Sequence, residues 1–205
     1  MSGKTVGFRD EIKFMLVLAT VCAVLLLVAR AGVGSRADLS MVAITSAGQI
    51  CKLELPEEPV AAVAAFNEHF VSRTRGRIQL WQSLSRSNVW LCQARGAGMW
   101  AELALLFAYD HMHRRIIGMR VIEQNETAGL GDRIGEEAFY EQFDDMDAGS
   151  GVEMKAIRVK GNQFDAISGA TITSRAVETV INRALGQIEK IASAAPPAAG
   201  KEARP

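Results

Sequence analysis

The start of the chain carries an uncharged apolar run over residues 14–29, with Lys13 and Arg30 on either side. At 1.5 Å per residue this run forms about 24 Å of helix, and the small residues that follow extend it toward the roughly 30 Å of a bilayer core. We therefore predict one transmembrane anchor over residues 14–34, preceded by a cytoplasmic stub over residues 1–13.

Basic residues before the anchor favour a cytoplasmic N-terminus, which places the rest of the chain outside the membrane. A cleaved signal peptide stays open as an alternative, because Ala29 and Ala31 fit a small-x-small cleavage pattern after an apolar segment. Both interpretations export residues 35–192, for which we predict one folded domain.

Two hydrophobic periodicities follow one another in the exported part. Helical spacing follows Pro59 and returns as an unbroken stripe between Arg175 and Ala192, whereas strand formers fill runs that polar turns join into two hairpins. The fold class that follows is α+β, an antiparallel sheet with flanking helices. The remaining predicted elements are strands over residues 78–84, 88–94, 100–109, 116–123 and 154–159 and a short helix over residues 136–143.

Composition narrows the protein class. The 205 residues are 49% hydrophobic and 22% charged, which is typical of a globular domain with an appendage. The formal net charge is zero, so no basic surface field favours nucleic acid as a partner. Residues 193–205 are rich in Ala and Pro and are predicted to be a disordered tail.

Cysteine and histidine give weak chemical signals. Cys51 and Cys92 lie in the exported part, where one disulfide is permitted, and two unpaired thiols are the open alternative. His111 and His113 sit in a predicted hairpin turn without a visible third ligand, so we predict solvated side chains and no metal site. No catalytic residues are predicted.

A run of hydroxyl side chains precedes the last predicted helix. Residues 168–174 read Ser-Gly-Ala-Thr-Ile-Thr-Ser. Free backbone N–H groups at a helix N-terminus attract anions, so this segment suits a phosphate group. Capping of the helix by Thr173 or Ser174 explains one hydroxyl equally well. The residues alone leave both interpretations open.

Residues 165–171, Asp-Ala-Ile-Ser-Gly-Ala-Thr, are similar to the flavinylation motif Asp-x-x-Ser/Thr-Gly-Ala-Thr. The chain thereby resembles the G subunit of the Rnf electron-transport complex and, more distantly, the C subunit of the sodium-pumping NADH:quinone reductase. The resemblance covers residues 96–191 plus the anchor. It implies FMN attached covalently to Thr171 by a phosphoester. The other motif residues that it assigns to the cofactor site are Asp165, Ser168, Gly169 and Ala170.

A second segment supports the resemblance. Residues 126–132, Glu-Thr-Ala-Gly-Leu-Gly-Asp, are similar to the Glu-Thr-Pro-Gly-Leu-Gly-Asp loop that lies against the flavin in the Rnf protein. Ala128 replaces the usual Pro, which relaxes one φ angle but removes no polar group. Residues 96–100, Gly-Ala-Gly-Met-Trp, are closer to the quinone-reductase protein. The subfamily therefore stays open.

The resemblance also assigns further cofactor-binding residues. We expect the region of Thr127 and Leu130, with Met99 or Trp100, to flank the flavin ring. We expect the phosphate to be held by the helix N–H groups with two hydroxyls. The additional site residues are Glu126, Thr127, Gly129, Leu130, Met99, Trp100, Thr173 and Ser174.

The function that the resemblance implies is electron transfer inside a membrane complex that couples oxidoreduction to ion movement. The expected partners are the other membrane subunits, the lipid bilayer and a flavin transferase, and the expected location is the outer side of a bacterial inner membrane. Such a chain is a redox component of a translocase, not a stand-alone enzyme. Two alternatives remain: the role of the quinone-reductase protein, and a non-redox exported domain that presents Trp81, Trp90 and Trp100 to a partner.

Overall fold

The computed structural model describes residues 13–24, 40–73 and 78–194 of the chain. The chain divides into two units, Met1–Asp38 and Leu39–Pro205. In the first unit, residues 13–24 form helix α1, whose side chains are exposed. Among the residues described here, no helix combines the length and the apolar character needed to cross a bilayer.

The predicted cytoplasmic stub, the second half of the predicted anchor and most of the predicted tail lie outside the described residues. Helix α1 covers the first part of the anchor, and the last helix extends to Ala194, into the predicted tail. The division of the chain into stub, anchor, domain and tail therefore stays a prediction.

Six antiparallel strands form the main sheet in the order β1-β2-β3-β4-β5-β6. Both predicted hairpins are confirmed, since β2 pairs with β3 and β4 pairs with β5. Pairing of β3 with β4 joins the hairpins, with Ala97 opposite Glu102 and Val89 opposite Asp110. The strand bounds are Phe70–Ser72 (β1), Gln79–Ser83 (β2), Val89–Ala97 (β3), Glu102–Asp110 (β4), Arg115–Glu123 (β5) and Met146–Asp147 (β6).

Helices cover both faces of this sheet. Helix α5 (Thr171–Ala194) packs against β3 and β4, whereas α2 (Met41–Cys51) packs against β4 and β5 with α3 (Pro59–His69) beside it. Alternate residues of β4 divide between the two cores: Leu105 and Phe107 on the α5 side, Leu106 and Ala108 on the other. Because both faces are covered, β4 is an almost continuous apolar run. The predicted α+β class is confirmed.

Helix α2 is absent from the predicted elements. Its buried residues are mostly small, so the contrast between its two faces is weak and the periodicity is easily missed. The available signal was its start, where Ser40 accepts a hydrogen bond from the N–H of Ala43 at 3.2 Å. The predicted helix after Pro59 is confirmed as α3, which Glu58 caps with both carboxylate oxygens.

Helix α5 begins at Thr171, four residues before the predicted start at Arg175. The N–H of Ser174 donates to the carbonyl of Ala170 at 3.0 Å, which is already a helical hydrogen bond. Thr173 and Ser174 therefore lie inside the first turn, and their interpretation as N-caps is wrong. The apolar stripe concealed this start because Ile172 is exposed.

Short elements link β5 to α5. The predicted short helix is confirmed as α4, followed by a 3₁₀ turn, and the predicted strand after it is shorter than expected. Beyond Lys155, the N–H groups of Val159 and Lys160 bond to the side-chain oxygen of Gln163 instead of a strand partner. The bounds are Gly131–Gly135 (η1), Glu137–Tyr140 (α4), Glu141–Phe143 (η2), Glu153–Lys155 (β7) and Gln163–Asp165 (β8), with β7 and β8 parallel.

Cys51 and Cys92 are free thiols. Cys51 packs beside the core under α2, and Cys92 lies in the core under α5, so they are on opposite faces of the sheet. Burial raises the pKa of Cys51 to about 11, and burial raises the pKa of Cys92 further. Of the two alternatives left open by the sequence, unpaired thiols are the one observed.

Candidate functional site

Thr171 is exposed at the start of α5. Gly169 precedes it with a φ of +81°, a left-handed conformation that glycine adopts without strain, and this turns the chain into the helix. The first N–H groups of a helix lack intrahelical acceptors, and the 24-residue length of α5 adds a full helix dipole. The accessible hydroxyl of Thr171 therefore lies where a phosphate group is electrostatically favoured.

Ser174 fixes the loop before Thr171. Its hydroxyl donates to the carbonyl of Ala170 at 3.0 Å and accepts the N–H of Ile167 at 3.1 Å. Ser174 is fully buried, and Ala170 is almost fully buried. This serine hydroxyl is thus used within the domain, and it holds the residues on both sides of Gly169 in place.

Asp165 orders the connection between β7 and β8. Its carboxylate accepts the N–H of Arg158 at 2.5 Å and lies 3.9 Å from the Arg158 guanidinium, while its own N–H donates to Gln142 at 2.8 Å. Ser168, three residues after the end of β8, is exposed. The first residue of the motif is therefore a structural support for the loop that leads to Thr171.

A buried carboxylate joins three segments of the site. Oε1 of Glu126 accepts the N–H groups of Met99 and Trp100 at 3.0 and 3.2 Å, in the turn between β3 and β4. Oε2 of Glu126 accepts the hydroxyl of Thr173 at 2.6 Å, in the first turn of α5. Thr173 is 1% exposed, so its hydroxyl is also used within the domain.

Glycines let these segments approach closely. A Cβ at Gly98 would lie 2.4 Å from Oε1 of Glu126, and one at Gly131 would lie 2.9 Å from Oγ1 of Thr173. A Cβ at Gly169 would lie 3.0 Å from the side chain of Leu130. The backbones at all three glycines therefore pack directly against the site.

The loop that follows Glu126 is a tight turn. The carbonyl of Thr127 accepts the N–H groups of Leu130 and Asp132 at 3.1 and 3.3 Å. Gly129 has a φ of +72° and is exposed, with open space where a side chain would be. This turn directs Leu130 toward Gly169, which lies shortly before the helix.

Large apolar side chains are exposed on each of the three segments. Met99 and Trp100 are 48% and 69% exposed, and Leu130 and Ile172 are 43% and 59% exposed. We call these four side chains the apolar rim. These side chains are available for contact with an apolar ligand. An accessible hydroxyl, a helix N-terminus and an apolar rim together fit a phosphate-bearing cofactor with a flat aromatic ring.

The charges near the start of α5 are surface pairs. Arg175 lies 3.7 Å from Glu178, and Arg133 lies 3.3 Å from Glu136. Exposed pairs of this kind are screened by solvent and contribute little. Glu126 is the only charged side chain among the described residues that is buried.

The predicted histidines lie elsewhere, in the turn between β4 and β5. His113 contacts the carboxylate of Asp110 at 2.8 Å, and the ring of His111 packs edge-on against Trp90. Within the described ranges, no three metal-ligating side chains come together. A cavity of about 500 Å³ opens at this end, and its lining includes Arg115, which pairs with Asp145 at 2.6 Å.

The structure brings most of the predicted site residues together, from the β3–β4 turn, the 126–131 loop and the start of α5. The predictions missed Ile172, Gly98 and Gly131. The glycine spacing around Met99 and Leu130 was the available signal for the last two. The alternative surface of three tryptophans is wrong, because Trp81 and Trp90 are in the core.

Part of the chain is similar to known proteins. Residues 98–186 match the FMN-binding domain family. The predicted resemblance to this family is confirmed. The match begins in the β3–β4 turn and ends within α5, so it contains all three segments that Glu126 joins.

Similarity to G subunits of ion-translocating complexes confirms the predicted resemblance. The chain is 38% identical over 74 residues to the G subunit of the ion-translocating oxidoreductase complex of Pseudomonas aeruginosa, covering 35% of each chain. It is 31% identical over 98 residues to the G subunit of the proton-translocating ferredoxin:NAD(+) oxidoreductase complex of Clostridium ljungdahlii, covering 47% of this chain and 50% of that one. The chain thus matches between about a third and a half of the length of these relatives.

A solved structure has the same fold. The C subunit of the Na(+)-translocating NADH-quinone reductase of Parabacteroides distasonis aligns with a TM-score of 0.54 over 74% of this chain and 97% of that chain. The sequence identity is 20%, so this likeness establishes the fold alone.

Proposed function

We propose that this chain is an electron-transfer component of a membrane-bound, ion-translocating oxidoreductase complex and carries FMN in a phosphoester bond to Thr171. The observation that carries the proposal is the position of Thr171. It completes the flavinylation motif, is exposed, and opens a long helix beside the apolar rim.

The phosphate would be held by the backbone N–H groups at the start of α5. The hydroxyls of Thr173 and Ser174 bond to Glu126 and Ala170, so we assign them to support of the helix start instead of phosphate contact. The apolar rim would cover the ring, with Thr127 and Gly129 forming the turn that presents Leu130.

FMN supplies the chemistry of a carrier that accepts and passes on one or two electrons. The chain's own residues supply the attachment, the orientation and partial shielding from water. A phosphoester leaves the ring chemically unchanged, so the protein groups around it set its properties. Covalent attachment also prevents loss of the cofactor on the outer side of a membrane.

Membrane location and partners are part of the same proposal. We expect a single-pass anchor over residues 14–34, a domain on the periplasmic side of a bacterial inner membrane, other membrane subunits as electron donor and acceptor, and a flavin transferase during maturation. The relatives matched by sequence are named as G subunits of such complexes, which favours this role over that of the quinone-reductase protein.

A pair of threonine variants tests the attachment. The wild-type chain and a Thr171→Ala variant are produced in cells that contain a flavin transferase and are run on a denaturing gel under ultraviolet light. The wild type is expected to fluoresce and the variant to be dark. Thr179→Ala removes another exposed hydroxyl from the same helix and is expected to keep full fluorescence.

Fluorescence that persists in Thr171→Ala would contradict attachment at this residue. A dark wild type with a correct fold, from cells that flavinylate a known substrate, would favour the non-redox alternative.

A further inference from the structure

The strongest unexplained feature of the site is a buried negative charge. Glu126 is 9% exposed, and its three bonded partners are two backbone N–H groups and one hydroxyl, all uncharged. Burying a carboxylate is costly unless hydrogen bonds replace its water. A buried residue that only fills space is usually apolar, so a carboxylate at this position needs an explanation other than packing.

The geometry around the carboxylate is built to accept it. Oε1 takes both N–H groups of the β3–β4 turn, and Oε2 takes the hydroxyl in the first turn of α5, where the helix dipole also favours a negative charge. The N–H of Glu126 is itself bonded to the side chain of Gln124 at 2.7 Å, which fixes its backbone. The backbones at Gly98 and Gly131 lie too close to Glu126 and Thr173 to leave room for a Cβ.

Each group that the carboxylate holds is adjacent to the apolar rim. Met99 and Trp100 are themselves rim residues, and Thr173 follows the rim residue Ile172. Gly131, which packs against Glu126, follows the rim residue Leu130. The exposed fraction of Glu126, 9%, is far below that of the rim side chains. It is therefore placed to fix the rim and not to form part of its surface.

We propose that Glu126 is a positioning residue, whose buried carboxylate locks the β3–β4 turn onto the start of α5 so that the apolar rim is preformed for a flavin attached at Thr171. This inference rests on the proposed function. It assigns Glu126 to preorganisation of the surface, without contact to the flavin ring.

The first test needs no flavin. Hydrogen exchange at the N–H groups of Met99 and Trp100 is measured in the full chain made without a flavin transferase. Glu126→Ala is expected to speed their exchange roughly tenfold or more, because both protecting bonds are lost. Glu126→Gln keeps one carbonyl oxygen and is expected to retain most of the protection.

Glu102→Gln is the matched control. Glu102 is an exposed carboxylate on β4, and its partner Arg95 keeps a second contact with Glu123 at 2.6 Å. Exchange at Met99 and Trp100 is expected to stay at the wild-type rate in this variant. Unchanged exchange in Glu126→Ala would overturn the proposal.

The second test uses the flavinylated chain. Fluorescence anisotropy of the attached flavin is expected to fall in Glu126→Ala, since the ring loses its preformed surface, and to stay near the wild-type value in Glu126→Gln and Glu102→Gln. Equal anisotropy in folded, flavinylated Glu126→Ala and wild type would refute the positioning role.

A second pair covers the case in which Glu126→Ala does not fold. Thr173→Val removes one arm of the contact, and Thr173→Ser retains the hydroxyl. Lower anisotropy with valine and recovery with serine would support the proposal, and equal values would overturn it. A wild type without covalent flavin would defeat the proposed function alone, because the exchange experiment still reports on Glu126.

Discussion

Two carboxylates organise the opposite ends of the β3–β4 hairpin, and they do so over different distances along the chain. Asp110, at the end of β4, accepts the N–H groups of Met112 and His113, two and three residues away, and the side-chain amide of Asn88, which lies next to the paired strand β3. Glu126 accepts N–H groups 27 and 26 residues away and a hydroxyl 47 residues away.

Their surroundings differ as well. The Asp110 end is charged, and its contacts lie mostly within its own turn, with His113 largely exposed. The Glu126 end exposes the apolar rim, and the Glu126 carboxylate is buried. The short-range contacts of Asp110 therefore close one turn, whereas the long-range contacts of Glu126 join three segments into a site.

The largest expected effect is a difference in the free energy of unfolding between alanine variants of the two carboxylates. Glu126→Ala leaves two N–H groups and a buried hydroxyl without acceptors, so we expect a loss of about 3 kcal/mol in the free energy of unfolding. Asp110→Ala exposes its donors to water, and we expect a loss of about 1 kcal/mol. Urea denaturation of both variants measures the difference, and equal losses would break the comparison.

Two glycine variants test the close packing around Glu126. A Cβ at Gly98 would lie 2.4 Å from Glu126 and 2.8 Å from the carbonyl of Ala101, whereas Gly135 has open space around it. We expect Gly98→Ala to lower stability by about 2 kcal/mol. Gly135→Ala is expected to stay within about 0.5 kcal/mol of the wild type. Thermal unfolding tests both, and a neutral Gly98→Ala would contradict the close packing.

Lowering the pH is expected to have a smaller effect on stability, and this effect arises from Asp110. Burial raises the pKa of Asp110, but hydrogen bonds from His113 and Asn88 outweigh it and lower the pKa to about 2. A lowered carboxyl pKa stabilises the fold above its unfolded value of about 4, and this contribution is lost as pH falls through about 2. Urea midpoints in this window are expected to fall less steeply in Asp110→Asn than in the wild type. Identical slopes would contradict the assignment.

Local patterns made much of the fold predictable. The two hairpins alternate strand formers with polar turns, α3 begins at a proline, and the stripe of α5 repeats every three or four residues. Helix α2 and the first turn of α5 were missed for one reason: their residues are small or hydroxyl-bearing, or face solvent as Ile172 does, so they carry little periodic contrast.

The residues of the site also differ in how far the sequence could predict them. Thr171 and the 126–131 loop were found through short contiguous motifs, and their glycines mark backbones that turn or pack closely. The role of Thr173 was not predictable, because its hydroxyl bonds to Glu126, which only the folded chain brings near. Ser174 bonds to Ala170, four residues before it, so its role depends on where α5 begins. Spacing along a sequence carries no information about a contact that spans 47 residues.

Intact-mass measurement of the full chain, purified from cells that contain a flavin transferase, tests the central claim most directly. The account predicts an added mass of one FMN less one water, and after proteolysis this mass on the peptide that contains Thr171. An unmodified chain, or the added mass on another peptide, would contradict it.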